Sequence, residues 1–458
     1  MWNNLTQCMI HLHISFPLIA PFLLLLFLLA YIILNPKTRS KKVFLLDFAC
    51  FKPPQNLIRS KKQALDRASL SGIWPEEVIK FWKVVLERSG VGDSTYLPNA
   101  FLVDPPNPSL EEARGEAEMV IFGAIDNLLA KTGVEVRDIG ILIVNCSIFN
   151  PVPSLTSMIV NHYKLKHDVA SYSLGGMGCT ASLWAIGMAN QLLQVHHNTY
   201  ALVVSTENIS QNCYLGSDRS KILINCLFRV GGAAMLLSNR PVDRKFSKYQ
   251  LIHTVTTHNA SSDTSYNCIV QEEDKQGFIG VTITKDLLVS AKNAISSNLI
   301  TLGPLILPFS EKVLFILNIM KRKIGRGKSK KYVPKFNVAV DHFFPHVGGR
   351  PVLDELQKVL GFRDEEMEAP RMTLLRFGNI SSSTVWYEIA YSEAKGRIKK
   401  GDRLWQMTFG SGFKCCSMVW KATRAIEAYE KSNAWSEEID KFPLLMDSSG
   451  QFPYFFEG

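Results

Sequence analysis

Phe16 to Leu34 (FPLIAPFLLLLFLLAYIIL) is an unbroken run of 19 apolar residues, set in a 36-residue N-terminal stretch without Asp, Glu, Lys or Arg. Such a segment has no polar face to offer water. At 1.5 Å per helical residue it reaches roughly 28 Å, the thickness of a bilayer core. Pro17 and Pro21 lie near one end, where they disturb a helix least. A cleaved secretory signal needs a basic start, a shorter apolar core and a small-residue cleavage site, and none is evident. The expectation is a membrane anchor over residues 1–36, with its span at about 16–34. Its flank is one-sided: residues 37–62 carry eight basic side chains (Lys37, Arg39, Lys41, Lys42, Lys52, Arg59, Lys61, Lys62) against one acid, Asp47. Positive charge stays on the cytosolic side, so the body is expected to face the cytosol.

The rest must be a folded body. With 47% apolar and 20% charged residues, 458 residues can build a core unaided. Disorder, collagen and a disulfide mini-scaffold are excluded. The length fits two domains or one large duplicated one. The 51 basic residues against 41 acidic ones leave +10, an excess that suits an acidic small molecule, an anionic membrane or nucleic acid. Nine cysteines, irregularly spaced and without a CxxC pair, argue against a zinc ribbon or a secreted disulfide framework. Reduced thiols are expected, with Cys415 and Cys416 as two small buried residues.

No tandem repeat is present. Apolar strand-like runs alternate with helical stretches. Ser109 and Glu112 form a capping-box signature for a helix that reaches Gly133. Ile139–Ser147 reads as a buried strand, 180–195 as an apolar helix, and Ala201–Glu207 and Ala233–Leu237 as further strands. Leu299–Met320 is apolar but broken by Pro304, Pro308, Glu311 and Lys312, and a basic tract follows it. It reads equally as a membrane-surface segment or as a buried helical hairpin before a basic loop. Beyond it, Phe336–His342 reads as a strand, Pro351–Leu360 as a helix stopped by Gly361, Ser382–Lys395 as a helix and Leu404–Phe409 as the last strand. Val/Ile/Leu strands between helices define an α/β chain.

Four short segments carry chemistry. Gly175-Gly176-Met177-Gly178-Cys179-Thr180 is a glycine turn that delivers a cysteine to the head of an apolar helix. Helix-end amides are expected to lower the thiol pKa there, as for an acyl-accepting nucleophile; a buried cysteine after a flexible turn fits the local sequence equally. Asp341 to Arg350 (DHFFPHVGGR) carries His342 and His346. Their spacing suits zinc on a helix, but Pro345 opposes a helix and no third ligand is near, so a catalytic imidazole is a better reading than a metal, with a merely structural histidine the default for His342. Arg376-Phe377-Gly378-Asn379-Ile380-Ser381 presents a neutral amide at a helix mouth, either as an oxyanion donor or as an ordinary cap. Gly410-Ser411-Gly412 can aim backbone N–H groups at a carbonyl, or can be only a tight turn.

Taken together and in this order, the segments resemble plant 3-ketoacyl-CoA synthases, the condensing enzymes of very-long-chain fatty acid elongation. The resemblance runs through VNCSIFNPVPSLTSMIVNHYKL, GGMGCTAS, ALVVSTENIS, NCLFRVGGAAMLLSNR, HVGGRPVLDELQ, RFGNISSSTVWYE and GDRLWQMTFGSGFKC. A more distant likeness is to bacterial ketoacyl synthase III and chalcone synthases. The resemblance implies a thiolase-like fold of two similar α/β halves (layered αβαβα) behind an N-terminal transmembrane helix. The expected halves are residues 37–325, with the nucleophilic cysteine, and 326–458, with the histidine and asparagine.

The resemblance places the acylated cysteine at Cys179 and the active-site histidine and asparagine at His346 and Asn379. It matches His258 and His342 to further family histidines. Backbone groups at Cys179, Gly410, Ser411 and Gly412 are expected to hold the oxyanion. The implied substrates are malonyl-CoA and a long-chain acyl-CoA, with no cofactor and no metal. The implied setting is the endoplasmic reticulum membrane, as a homodimer among the elongase reductases and dehydratase, with no nucleic acid. Two positions depart from the family pattern. Leu375 stands where a histidine usually precedes Arg-Phe-Gly-Asn, and Pro345 directly precedes His346. They keep a second reading open, a catalytically weak paralogue that binds and regulates the elongase.

Overall fold

The computed structural model describes residues 41–324, 332–428 and 433–444. The expected span at 16–34 lies outside them. Among the described residues no helix is long and apolar enough to cross a membrane.

Nine strands form one sheet: β1 (Phe44–Cys50), β2 (Ile139–Asn145), β3 (Ala170–Leu174), β4 (Tyr200–Thr206), β5 (Gly232–Ser238), β6 (Tyr249–His258), β7 (His342–Pro345), β8 (Arg403–Gly410) and β9 (Lys414–Ala422). Their order is β7-β8-β9-β6-β1-β5-β4-β2-β3. The sheet is nearly two sheets. β1 and β6 meet through only two residue pairs, Phe44 with Gln250 and Leu45 with Tyr249. On one side five strands run β1-β5-β4-β2-β3, with β2 parallel to both of its neighbours. On the other, four strands run β7-β8-β9-β6. β6 precedes residue 325 in the chain yet hydrogen-bonds to β9 along its length, so the chain divides at a different place from the sheet.

The helices complete the layers. α1 (Leu110–Thr132) packs on the five-stranded side, against β1, β4 and β5. Ser109 caps it by accepting from the Glu112 amide, Glu111 and Glu112 sit at its positive end and Lys131 at its negative end, and Gly133 stops it with φ +64°. α2 (Ala181–Val195) touches β4 and β2 from one side and β9 from the other. α3 (Leu287–Ile306) and α4 (Phe309–Ile324) follow each other across Leu307-Pro308, and α3 covers β6, β8 and β9. α5 (Arg350–Leu360) begins with Pro351 in its first turn and ends at Gly361. α6 (Thr384–Ala394) touches β1 on one side and β7 and β8 on the other. α2 and α6 therefore form a central helical layer between the two sub-sheets, with α1 and α3 outside. Burial follows from this. Every residue of α6 is buried, Glu388 and Glu393 included. Trp386 stacks near Phe48 and Trp420, drawn from either side of the junction.

A buried cation fastens the junction. Lys248, fully enclosed, lies 3.0 Å from Asp47 Oδ1 and 2.9 Å from Glu393 Oε2. Lys131 also reaches Asp47, at 3.1 Å, and the Tyr249 hydroxyl donates to Glu393 at 2.6 Å. Charges taken from water are tolerated only when paired this completely.

Three expectations change. Residues 336–338 form a 3₁₀ turn, and the strand there starts only at His342. Leu404–Phe409 is not the last strand, since β9 turns back on β8 in full register. The buried-hairpin reading of Leu299–Met320 fails for α4, in which Glu311 is the one buried residue. Cys415 and Cys416 are buried as expected.

Candidate active site

Two glycine turns from distant parts of the chain interlock around Cys179. The first, 175–178, leads from β3 into a short 3₁₀ turn, Gly178–Thr180, and then α2. The second, Gly410 to Gly412, links β8 to β9. Gly178 has φ +61°, and a Cβ there would lie 2.6 Å from Ser411 Oγ and 2.8 Å from its amide nitrogen. A Cβ on Gly410 would lie 2.6 Å from the Cys179 amide nitrogen. Only hydrogen fits at both places, which is why two glycine segments so far apart in sequence belong to one site.

Asn379 arrives from the other side and is held by its backbone. Its N–H donates to the Leu227 carbonyl at 3.1 Å, and its carbonyl accepts from the Arg229 N–H at 3.0 Å. Its side-chain oxygen accepts from the Ser381 amide at 2.8 Å, which leaves the Nδ2 hydrogens as donors. That bond is an Asx-turn, the ordinary local role open to this asparagine. Ser381, Ser382 and Ser383 also bond across to earlier parts of the chain. Ser382 Oγ meets Asn145 Nδ2 and Ser205 Oγ, each at 2.9 Å. Ser182 Oγ donates to the Ser382 carbonyl at 2.6 Å, and Ser383 Oγ donates to the Ser205 carbonyl at 2.9 Å. This buried polar seam locks the Asn379 loop onto the head of α2.

Ser381 is the nearest of these groups to the sulfur. Its Oγ stands 3.6 Å from Cys179 Sγ and 3.2 Å from Glu207 Oε2. Its φ of +51° is a left-handed conformation, which costs a serine about 1 kcal/mol and is held by bonds to Asn379, Cys179, Glu207 and Thr384. Glu207 also accepts from the Ser147 and Ile148 amides, each at 3.0 Å, and from Cys146 Sγ at 3.3 Å. Neither Ser381 nor Glu207 is among the residues expected from the sequence. The signal for Glu207 is a carboxylate directly after the strand segment ALVVST, with no basic neighbour. Such a group is either poorly solvated or part of a site.

His346 follows the last residue of β7. Its amide donates to the Met407 carbonyl at 2.7 Å, and its ring sits edge-to-face on Phe409, 5.4 Å between centroids. Phe409 adjoins Gly410, so the imidazole borders the turn that touches Cys179. Pro345 fits this arrangement. In an extended strand successive N–H groups point to opposite sides. Since His346 points its N–H at β8, Pro345 points its nitrogen at the free edge, where no strand needs a donor.

Burial sets the electrostatics. It pushes the Cys179 thiol up to about 12, against a smaller lowering by the Ser381 hydroxyl, and nearby Glu207 adds to the rise. The lowering expected from the helix end is therefore overturned: loss of water outweighs the helix-end amides. Burial also holds His346 down to about 3, and its Nδ1 is buried without a partner among the described residues. Thiol and imidazole are thus both neutral at pH 7. Burial raises Glu207 above the ordinary carboxyl range.

The other expected residues fall outside this cluster. His258 is exposed at the end of β6, opposite Lys414 in register and edge-on to Trp184 of α2 at 6.3 Å. Burial and the Lys414 charge hold its pKa down. His342 opens β7, with Nε2 3.0 Å from Asp402 Oδ2. It stands at the opposite end of the strand from His346, roughly 13 Å away along the chain, and no described contact joins it to Cys179. Leu375 lies in the core rather than at the sulfur, its carbonyl accepting from the Gly92 amide at 3.0 Å. Arg376 of the same motif is spent on Glu438, Ser94 and Tyr96. Among the described residues no group of three His, Cys, Asp or Glu side chains is placed to hold a metal.

The layered architecture has counterparts among solved structures. The fold is that of the type III polyketide synthases. PKS-I of the brown alga Ectocarpus siliculosus superposes with a TM-score of 0.63 at 18% identity, covering 84% of this chain and 99% of its own. The 1,3,6,8-tetrahydroxynaphthalene synthase of Streptomyces coelicolor gives 0.62 at 20%, covering 83% and 100%. The family described as FAE1/Type III polyketide synthase-like protein matches residues 35–324, and the 3-oxoacyl-[acyl-carrier-protein] synthase III C-terminal family matches 337–422. The chain is 53% identical to 3-ketoacyl-CoA synthase 11 of Arabidopsis thaliana, over 94% of this chain and 85% of that protein. It is 56% identical to 3-ketoacyl-CoA synthase 2 of the same plant, over 89% and 78%. This chain belongs to the 3-ketoacyl-CoA synthase family.

Proposed function

We propose that the protein condenses a long-chain acyl-CoA with malonyl-CoA, releasing CO2 and CoA and leaving a 3-ketoacyl-CoA two carbons longer. The observation that carries this reading is the meeting of Cys179 with Ser381, beside Asn379, under the Gly410 turn. Neutral His346 relays the Cys179 proton toward the departing CoA sulfur as the cysteine attacks the acyl thioester. The C–S bond to CoA breaks, and the proton leaves with the CoA thiol. Malonyl-CoA then loses CO2, and the electron pair of the broken C–C bond becomes an enolate. Its oxygen accepts hydrogen bonds from His346 and Asn379. The enolate carbon attacks the acyl group on Cys179, and the sulfur departs. Amides at Cys179 and Gly410–Gly412 face the tetrahedral oxyanion. Decarboxylation supplies the carbanion, so these steps call for no metal or redox cofactor.

An acyl chain of this length partitions into lipid. An anchor at 16–34 on the endoplasmic reticulum, with the body in the cytosol, puts the enzyme where that substrate resides. A homodimer working beside the elongase reductases and dehydratase completes the reading. It is tested with the full chain in nanodiscs, radiolabelled malonyl-CoA and C18 to C24 acyl-CoAs. The wild type forms 3-ketoacyl-CoA unaided, and Cys179→Ala forms none. Full activity in Cys179→Ala overturns the reading. A wild type that makes no product, yet captures an active synthase, favours the regulatory paralogue.

A further inference from the structure

α4 is amphipathic the wrong way round for a helix on a protein in water. Two of its polar residues, Glu311 and Asn318, face the body. Glu311, 7% exposed, accepts from the Tyr332 hydroxyl at 2.6 Å and the Lys335 amide at 2.9 Å, and Asn318 accepts from the Tyr332 amide at 3.0 Å. At 100° per residue, Phe309, Val313, Ile316, Leu317, Met320 and Ile324 share the opposite face, within an arc of about 100°. Phe309 is 81% exposed, Ile316 and Leu317 55%, Met320 52% and Ile324 80%. A surface helix of a soluble body turns such a stripe inward, and a continuous exposed apolar face marks an interaction site.

The charges identify what covers it. Lys312 and Lys323 border the stripe on one side and Lys321 on the other. From Lys321 to Lys335 the sequence holds eight basic residues and no acid. An apolar stripe edged by lysines, with basic charge following, matches an interface between acyl chains and anionic headgroups. We propose that α4 lies in the surface of an anionic lipid bilayer, its Phe309–Ile324 stripe among the acyl chains. This contact is separate from the proposed N-terminal anchor and independent of the condensation reaction.

The test uses the full chain in bilayers containing a phosphatidylcholine with a photoactivatable acyl chain, either alone or with 30% phosphatidylserine, followed by peptide mapping. The expected result is label in residues 309–324, stronger by about tenfold with phosphatidylserine. Leu317→Glu with Met320→Glu removes that label by about tenfold or more. It leaves the melting temperature and the condensation of a soluble short acyl-CoA unchanged, because both side chains are exposed. Label within residues 1–36 reports the anchor separately and stays constant. An unlabelled 309–324 segment in the wild type, labelling indifferent to anionic lipid, or cross-linking of that segment to protein in its place overturns the proposal.

Discussion

The hydroxyl of Ser381 stands between the Cys179 sulfur at 3.6 Å and the Glu207 carboxyl at 3.2 Å. It has one hydrogen for two acceptors. While Cys179 is a neutral thiol, the carboxyl is the stronger claimant. Once the thiol loses its proton the sulfur becomes one, and the hydroxyl can turn to it. In the proposed reaction Glu207 and Ser381 are therefore positioning groups for Cys179 rather than reacting ones.

Ser381→Ala removes that hydroxyl. Acyl transfer onto Cys179 is expected to slow by about tenfold, the value of one charge-assisted hydrogen bond. The discriminating readout is the pH dependence of Cys179 alkylation, whose midpoint moves to higher pH because a lowering influence has gone. An unchanged midpoint assigns Ser381 to packing alone.

The pH profile of the wild type follows from two displaced groups. A histidine with an ordinary pKa near 6.5 would give acyl loading an acid limb there. With His346 held at about 3 and Cys179 raised to about 12, neither titrates in the neutral range. Loading is expected to be flat from about pH 6 to about 8, read as kcat/KM with a non-titrating acyl-CoA. The same shift bears on stability. Below about 6.5 the unfolded chain binds a proton at this position and the native chain does not, so the fold loses stability as pH falls toward 3. A limb with its midpoint near 6.5 contradicts both expectations.

Gly410→Ala drives a methyl group into the Cys179 amide. Something must shift, and a displacement of about 1 Å at a reacting atom lowers rate by about 100-fold. The loss falls on kcat, measured with malonyl-CoA saturating. Activity within a factor of two of wild type shows that the two turns are less tightly locked than these distances require.

Lys248→Met leaves Asp47 and Glu393 without their shared cation in the interior. Urea unfolding is expected to show a loss of about 3–5 kcal/mol. Replacing Glu393 with Gln in the same chain recovers part of it, because one fewer charge is stranded.

What was readable along the chain was what neighbours decide. Ser109, Glu112 and Gly133 bound α1 because caps are local, and the apolar run at 139–145 is a strand because β-branched residues buried on both faces favour one. Phe336–His342 misled because its apolar content resembles a strand, whereas pairing with β8 begins only at His342. β9 was hidden behind the Gly-Ser-Gly turn that introduces it. At the site, the glycine turn at Cys179 and the Asn379 motif were visible as fragments. Ser381 and Glu207 were not. Their meeting joins residues 174 positions apart, and no local pattern encodes it. The direction of the thiol shift is illegible in sequence for the same reason. Helix-end amides are visible in sequence, but the burial that outweighs them is contributed by the second half.

The interlocking of Gly178 with Ser411 bears on how the enzyme is made. A nascent polypeptide that has left the ribosome only to residue 330 already carries Cys179, yet it lacks His346, Asn379 and the 410–412 turn that meets it. The cluster around Cys179 is complete only after residue 412 has emerged and docked, so it is among the last features of the fold that synthesis can finish.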